Sequence, residues 1–425
     1  MIGSIDRKTA PSLDFDNTLS FPDFKRGKLN NGIPYLIVND GEQDLVKINF
    51  IFNAGKWFEP KKLVGKLCNK LMREGSNDHT SAELAEKLDF YGVTLRNQCK
   101  AFTSVYSVYV LNKHLASVLP LLEEIFFNAS LPEEELSIIL LKEKQRLKVQ
   151  LQRNDFVSSQ EFFKHMYGDH HPFGYRLDIE DHKIDLLPDI KSFYSSNYIN
   201  PEKICIAGKI KDVTLNLLDK HFGQNTFKSV VYDKDRHKPN GTSELEHRTS
   251  IDNSVQSAIR IGGLLFNKTH PDYFDFKIVN TILGGYFGSR LMSNIREEKG
   301  YTYGIYSSCT SLLEGGYFSI ATEVGHKYTE DTLKEISFEL KRLQTELISD
   351  EELNTVKNYM SSKIQGSLDG PFHSSATLND LWMYDLDNQY LKDYMDRVND
   401  INAEDIRHLA QKYLNIKDMY KIIVS

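Results

Sequence analysis

Lys66, Asn69 and Lys70 stand at i, i+3 and i+4 of a predicted helix and so share one of its faces. Leu63, Leu67 and Leu71 form its apolar stripe, and the pattern predicts a helix ending at Gly75. Phe50-Ile51-Phe52-Asn53-Ala54-Gly55 reads as a preceding strand that ends in glycine, and Gly75-Ser76 as a following turn. The residue types on the shared face limit its chemistry. An ammonium offers a metal no lone pair and repels a dication. An amide is a far poorer general base than a carboxylate. This face therefore neither ligates zinc nor activates water.

A second chemistry-bearing stretch runs from Ile282 to Tyr303, with Leu283-Gly284-Gly285, Ser289-Arg290-Leu291 and Ile295-Arg296-Glu297-Glu298 inside it. Arg296 brings a guanidinium fork that pairs with carbonyl or carboxylate oxygen, and Tyr303 a phenol that donates to negative charge. The structural alternative is that Arg296 pairs with Glu297 or Glu298 at a helix end. Gly284, Gly285 and Gly288 do not make a phosphate loop: the following G-K-[ST] is missing and the spacing fits no nucleotide fingerprint. Asp169-His170-His171-Pro172-Phe173-Gly174 looks metal-like, with Glu161 and His165 at i and i+4 upstream. However, His170 and His171 are adjacent and cannot share a helical face, and Pro172 and Gly174 mark a loop. Lys142, Lys144, Arg146 and Lys148 form a basic run, read as a solvated helix face or as a lining for an acidic peptide.

The elements that position these residues follow from periodicity. Strands are predicted over 33–38 and 46–54, a hairpin over 93–98 and 102–111, and a helix from Asn112 through Phe127. Ser81 is expected to open a helix with Glu83 and Glu86 in its first turn, and Leu131-Pro132 to open a long one. Ile204 to Gly208 reads as a short strand, and Ser254 to Leu265 as a longer one. Trp382 and Tyr384 are expected in a core or at an interface.

The 425 residues, 40% hydrophobic, suffice for more than one core. A net charge of -7 without a block of like charge does not suggest nucleic acid as a partner. No apolar run is long enough for a membrane span, and Met1 to Lys8 lacks the apolar core of a secretion signal. Cys68, Cys99, Cys205 and Cys309 are scattered, with no C-x-x-C pair. Buried thiols in the cytoplasm are the expectation.

The chain also resembles itself. Pro132-Glu133-Glu134-Glu135-Leu136 returns as Ser349-Asp350-Glu351-Glu352-Leu353, 217 residues on. Tyr198-Ile199-Asn200 returns as Tyr413-Leu414-Asn415, 215 on, and the strand at Ile48 returns at Ile259, 211 on. Shared offsets near half the chain predict two copies of one α+β unit. The order of elements disfavours a doubly wound parallel sheet. The expected division is residues 1–225, a polar linker over 226–248, and residues 249–425.

Both chemistry-bearing stretches resemble the M16 family of insulinase, pitrilysin and mitochondrial processing peptidase. Members carry an inverted zinc motif, H-x-x-E-H, on a helix set as this one is. The resemblance puts its two histidines at Lys66 and Lys70 and its glutamate at Asn69, so all three are replaced. It also implies a third ligand, a Glu some 75 residues on, and the window Leu147 to Gln152 holds no acid. The second stretch resembles the family's L-G-G, S-R-L, I-R-E-x-x-G-x-x-Y signature, which implies that Arg296 and Tyr303 hold the peptide backbone and the oxyanion. Over nearly the whole chain, the resemblance implies an α+β fold of two similar tandem domains. Each is a mixed, mostly antiparallel sheet with helices on one face. It implies no zinc on this chain and a heterodimer with a zinc-bearing partner that supplies the metal for peptide cleavage. A homodimeric scaffold or peptide-binding protein is the alternative.

Overall fold

A computed structural model describes residues 19–425; the amino-terminal stretch Met1 to Lys8 lies outside them. The first half runs β1 (Phe24–Lys28), β2 (Pro34–Asn39), β3 (Leu45–Phe52), α1 (Val64–Leu71), α2 (Ser81–Phe90), β4 (Thr94–Cys99), β5 (Ser104–Leu111), α3 (Leu115–Phe127), α4 (Glu133–Gln150), α5 (Asn154–Tyr167), α6 (Leu187–Asn197), β6 (Lys203–Gly208) and α7 (Val213–Phe222). The second half runs β7 (Glu246–Thr249), β8 (Gln256–Leu265), α8 (Tyr273–Asn280), β9 (Thr302–Ser311), β10 (Gly316–Gly325), α9 (Thr329–Thr345), α10 (Asp350–Gly366), α11 (Gly370–Trp382), α12 (Gln389–Asp400), α13 (Ala403–Tyr413) and β11 (Tyr420–Val424). Two π-helical segments, Thr281–Gly285 and Met292–Glu298, follow α8.

The strand orders, β1-β2-β6-β3-β5-β4 and β7-β11-β8-β10-β9, show the repeat directly. In each sheet one pair is parallel, β2 with β6 and β7 with β11, and the others are antiparallel. Register agrees as well: Ile48 lies opposite Val108 and Ile206, and Ile259 opposite Thr322 and Ile423. The fold is α+β, two mixed sheets each with its own helices. β7 begins at Glu246, at the end of the polar stretch between the two sheets.

Helices bury one face of each sheet, but the other face is not left open. Helix α5 of the first half packs on β8 and β11, where Phe162, Met166 and Ile422 meet. Helix α11 of the second half packs on β2 and β6, where Leu378 meets Leu36, Val38 and Cys205. Each half thus lends one helix to the other's sheet, and burying both apolar faces ties the halves together. Trp382 closes this interface: its carbonyl accepts from Lys203 Nζ at 3.0 Å, and the ammonium sits 4.5 Å from the ring centre.

Around α1 the chain is tightly constrained. Gly55 is required where it stands, since a Cβ there would lie 2.4 Å from the Phe102 carbonyl carbon. Leu63, at φ 72, turns the chain into α1, a left-handed position that costs a leucine strain. The helix ends at Leu71, short of the predicted Gly75, and Gly75 with φ 144 makes the turn instead. Thr80, not Ser81, caps α2, sharing a reciprocal capping box with Glu83. Ser81 donates instead to Glu74 at 2.7 Å.

Candidate functional site

Helix α1 lies between α4 and the edge of the first sheet. On the α4 side, Lys66 Nζ and Lys70 Nζ each donate to one oxygen of Glu143, both at 2.5 Å. The two ammoniums grip a single carboxylate bidentately. Glu143 is buried on the stripe of Leu136, Leu140 and Leu147 that faces the core. Burial alone would raise its pKa. The bonds and charges of Lys66 and Lys70 outweigh that and hold it at about 2. The family resemblance put the third position in the acid-free window 147–152, and that window is corrected here: the acid that reaches the face is Glu143, one helical turn earlier. An acid interrupting a leucine stripe was the signal that could have found it.

On the sheet side, Asn69 is fully engaged. Its Nδ2 donates to Ser104 Oγ at 2.5 Å, and its Oδ1 accepts from Asn97 Nδ2 at 2.9 Å. Its backbone carbonyl accepts from Asn97 at 2.8 Å and from the Tyr106 phenol at 2.6 Å. Tyr198 OH completes the chain by donating to Ser104 Oγ at 2.7 Å. Every member is satisfied, so the network fixes α1 against β4 and β5. A metal does not fit this face. The one carboxylate is already neutralised by two cations, and the amide at the base position is locked among neutral partners.

In the second half, Arg296 leaves its helical segment between two aromatic rings. Its guanidinium carbon lies 4.7 Å from the centre of Phe287 and 5.0 Å from that of Tyr303. Among the described residues it pairs with neither Glu297 nor Glu298. Tyr303 is 89% exposed, and a β-bulge explains why. Thr302 pairs with Val324 and Ile305 with Thr322, so Tyr303 and Gly304 oppose Glu323 alone. The extra residue turns Tyr303 outward although it shares parity with buried Ile305 and Ser307. Thr302 and Thr322 hold the bulge, both donating to the Gly304 carbonyl.

The family profile described as Peptidase M16 inactive domain matches residues 186–360, and the one described as Insulinase (Peptidase family M16) matches residues 35–171. The chain belongs to peptidase family M16. A Bacillus subtilis protein described as an uncharacterized zinc protease is 25% identical, with 91% of this chain and 95% of that protein covered. A Rickettsia felis protein of the same description is 23% identical, covering 92% and 94%. The fold matches a peptidase M16 inactive domain from Pseudomonas fluorescens, TM-score 0.83, 22% identity, 95% and 98% covered. It also matches a Helicobacter pylori protease, TM-score 0.82, 17% identity, 95% and 100% covered.

Within this M16 chain, the two groups of site residues stay apart. Among the described residues, no hydrogen bond, ion pair or ring contact joins Arg296 or Tyr303 to Lys66, Asn69 or Lys70. Elsewhere, folding brings His247 beside Glu161 and His165, with one donor atom of each within 4.8 Å of the others. Arg176 already bonds Glu161 there, which accounts for the buried acid. His171 is a core residue stacked on Tyr167 at 4.7 Å; burial, with His237 close by, holds its pKa down to about 4. All four cysteines are free thiols, and burial pushes Cys99 and Cys205 up to about 12. No described helix is long and apolar enough to cross a membrane.

Proposed function

We propose that this chain is the non-catalytic subunit of a heterodimeric M16 metallopeptidase. In this reading it grips extended peptide through Arg296 and Tyr303, while a zinc-bearing partner of the same family supplies the cleaving site. The observation that carries the reading is the Lys66–Glu143–Lys70 clasp: the acid on this face, which we assign to the family's third ligand position, has its charge spent on two ammoniums. The half-buried Arg296, held between Phe287 and Tyr303, supports the other half of the reading. An arginine without a carboxylate is free for a peptide carbonyl or terminus. The edge strands β4 and β9 leave unpaired backbone groups to which a peptide can add as a further strand. Free, largely buried thiols suit a reducing compartment, and we assign the pair to the cytoplasm.

The test is reconstitution. The chain is mixed with an M16 protein of similar length from the same genome that carries an intact H-x-x-E-H. Cleavage of a fluorogenic peptide is expected from the mixture and from neither chain alone. A stable homodimer that neither joins that partner nor alters its rate would overturn the reading in favour of a scaffold.

A further inference from the structure

The internal repeat carries the lysine face of α1 into the second half, and there the acid equivalent to Glu143 is replaced. The 211-residue offset puts Asn69 on Asn280 and Lys66 on Lys277, and the 217-residue offset puts Glu143 on Met360. The structure supports both equivalences. Asn280 is buried on α8, and its carbonyl accepts from Ser307 of the edge strand β9 at 3.1 Å, as that of Asn69 accepts from Asn97 of β4. Met360 is buried on α10, whose Leu353 and Ile364 repeat Leu136 and Leu147 of α4. The cleft that Lys277 lines thus carries a thioether, Met360, at the position equivalent to the carboxylate that Lys66 meets.

Lys277 lines an open cleft of about 590 Å³ with Lys268, Lys363, Asp380 and a group of tyrosines. Lys268 is paired with Asp380. Among the described residues, Lys363 reaches only the Tyr359 phenol, at 3.3 Å. Lys277 has ring faces for company, 5.0 Å from the centre of Tyr394 and 5.9 Å from that of Tyr273, and no carboxylate pairs with it among the described residues. Among the described residues that line the cleft, three ammoniums stand against one carboxylate, an excess of two positive charges. A half-buried cation without a counter-ion is costly, and the cost is recovered when an anion enters. Asn280 Oδ1, buried beside the cleft without a hydrogen-bond partner, adds an acceptor for a ligand hydroxyl.

We propose that this cleft binds a small organic anion, its carboxylate or phosphate head on Lys277 and Lys363 and its body against Tyr273 and Tyr394. Burial, reinforced by Lys268, pulls the Lys277 ammonium below its ordinary range; Cys309 and Asp380 oppose this, and Lys363 adds to it. A bound anion restores the charge.

The experiment is calorimetric titration of the full chain with inorganic phosphate and, separately, with benzoate, which distinguishes the two head groups. One saturable site per chain is expected for at least one of them, weakened about tenfold or more by Lys277→Met. A second measurement needs no variant: acylation of Lys277 by acetic anhydride, followed by mass spectrometry, is expected to slow when the binding anion is present. No saturation by either anion up to about 20 mM, equal affinity in Lys277→Met, or an acylation rate unchanged by a saturating anion each overturns the proposal.

Discussion

Replacing Glu143 by Gln removes one charge from the clasp and leaves two ammoniums facing an amide. The distance from the ordinary 4.5 to about 2, at about 1.4 kcal/mol per pH unit, comes to about 3 kcal/mol. Lys66 and Lys70 are 34% and 36% exposed at their side chains, so solvent screening brings the expected loss nearer about 2 kcal/mol. The sign of the pH dependence follows from proton counting. Between about pH 2 and 4.5 the unfolded chain holds a proton on this group and the folded chain does not. Stability from the clasp is therefore complete above 4.5, rises with pH across that window, and is gone below 2.

Urea unfolding followed by Trp57, buried in the first-half core beside α1, reads this directly. Glu143→Gln is expected to lose about 2 kcal/mol at pH 7, with the gap to wild type narrowing steadily from pH 4.5 downward. The triple variant Lys66→Met, Lys70→Met, Glu143→Gln separates charge from packing. Removing the whole charged group is expected to restore most of the loss, because the penalty belongs to the unpaired cations. A Glu143→Gln protein within about 0.5 kcal/mol of wild type at pH 7, or a gap that persists unchanged into acid, would refute the account.

Three further outcomes follow from the same geometry. Lys66→His with Lys70→His sets two imidazoles around the retained Glu143, and elemental analysis of the double variant is expected to find one zinc per chain; a metal-free double variant contradicts the placement of Glu143. Arg296→Ala or Tyr303→Phe is expected to lower the kcat/KM of the reconstituted heterodimer about 10²-fold without moving the melting temperature, since Tyr303 is nearly fully exposed; unchanged kinetics rules out the assigned grip. Burial raises Glu59 to about 7 against bonds from Tyr175 and Gly65, so the folded chain holds an extra proton between about pH 4.5 and 7; stability is expected to fall as pH rises through that window, and Glu59→Gln to flatten the slope.

Much of this was written in the sequence because it was local or repeated. The α1 stripe, the β4–β5 hairpin and the acidic openings of α4 and α10 are short-range patterns, and the offsets of 211 to 217 residues gave the second sheet from the first. What stayed hidden depends on tertiary placement. Glu143 was missed because the window Leu147 to Gln152 starts one helical turn past it; Glu143 lies 77 residues after Lys66 and 73 after Lys70, at the spacing the family resemblance implies. Tyr303 faces out because one unpaired residue in β9 reverses the alternation, which periodicity alone cannot register. The exchange of α5 and α11 between the sheets was invisible, because an amphipathic helix does not state which sheet it will cover.

In the proposed heterodimer the clasp would let this face attract a peptide without chemistry of its own. A zinc site of two neutral imidazoles, one carboxylate and a dication carries one net positive charge. Two ammoniums on Glu143 carry the same. The electrostatic attraction for a peptide carbonyl or carboxyl terminus therefore survives the replacement. What is lost is directional: an ammonium donates hydrogen bonds but accepts no lone pair, so it neither polarises a carbonyl by coordination nor acidifies a water. Asn69 completes the loss, because an amide held by Ser104 and Asn97 has no proton affinity to offer. In that proposal the chain presents a positive wall to the substrate and leaves the bond-breaking to the partner subunit, a division with which the charge balance at Glu143 is consistent.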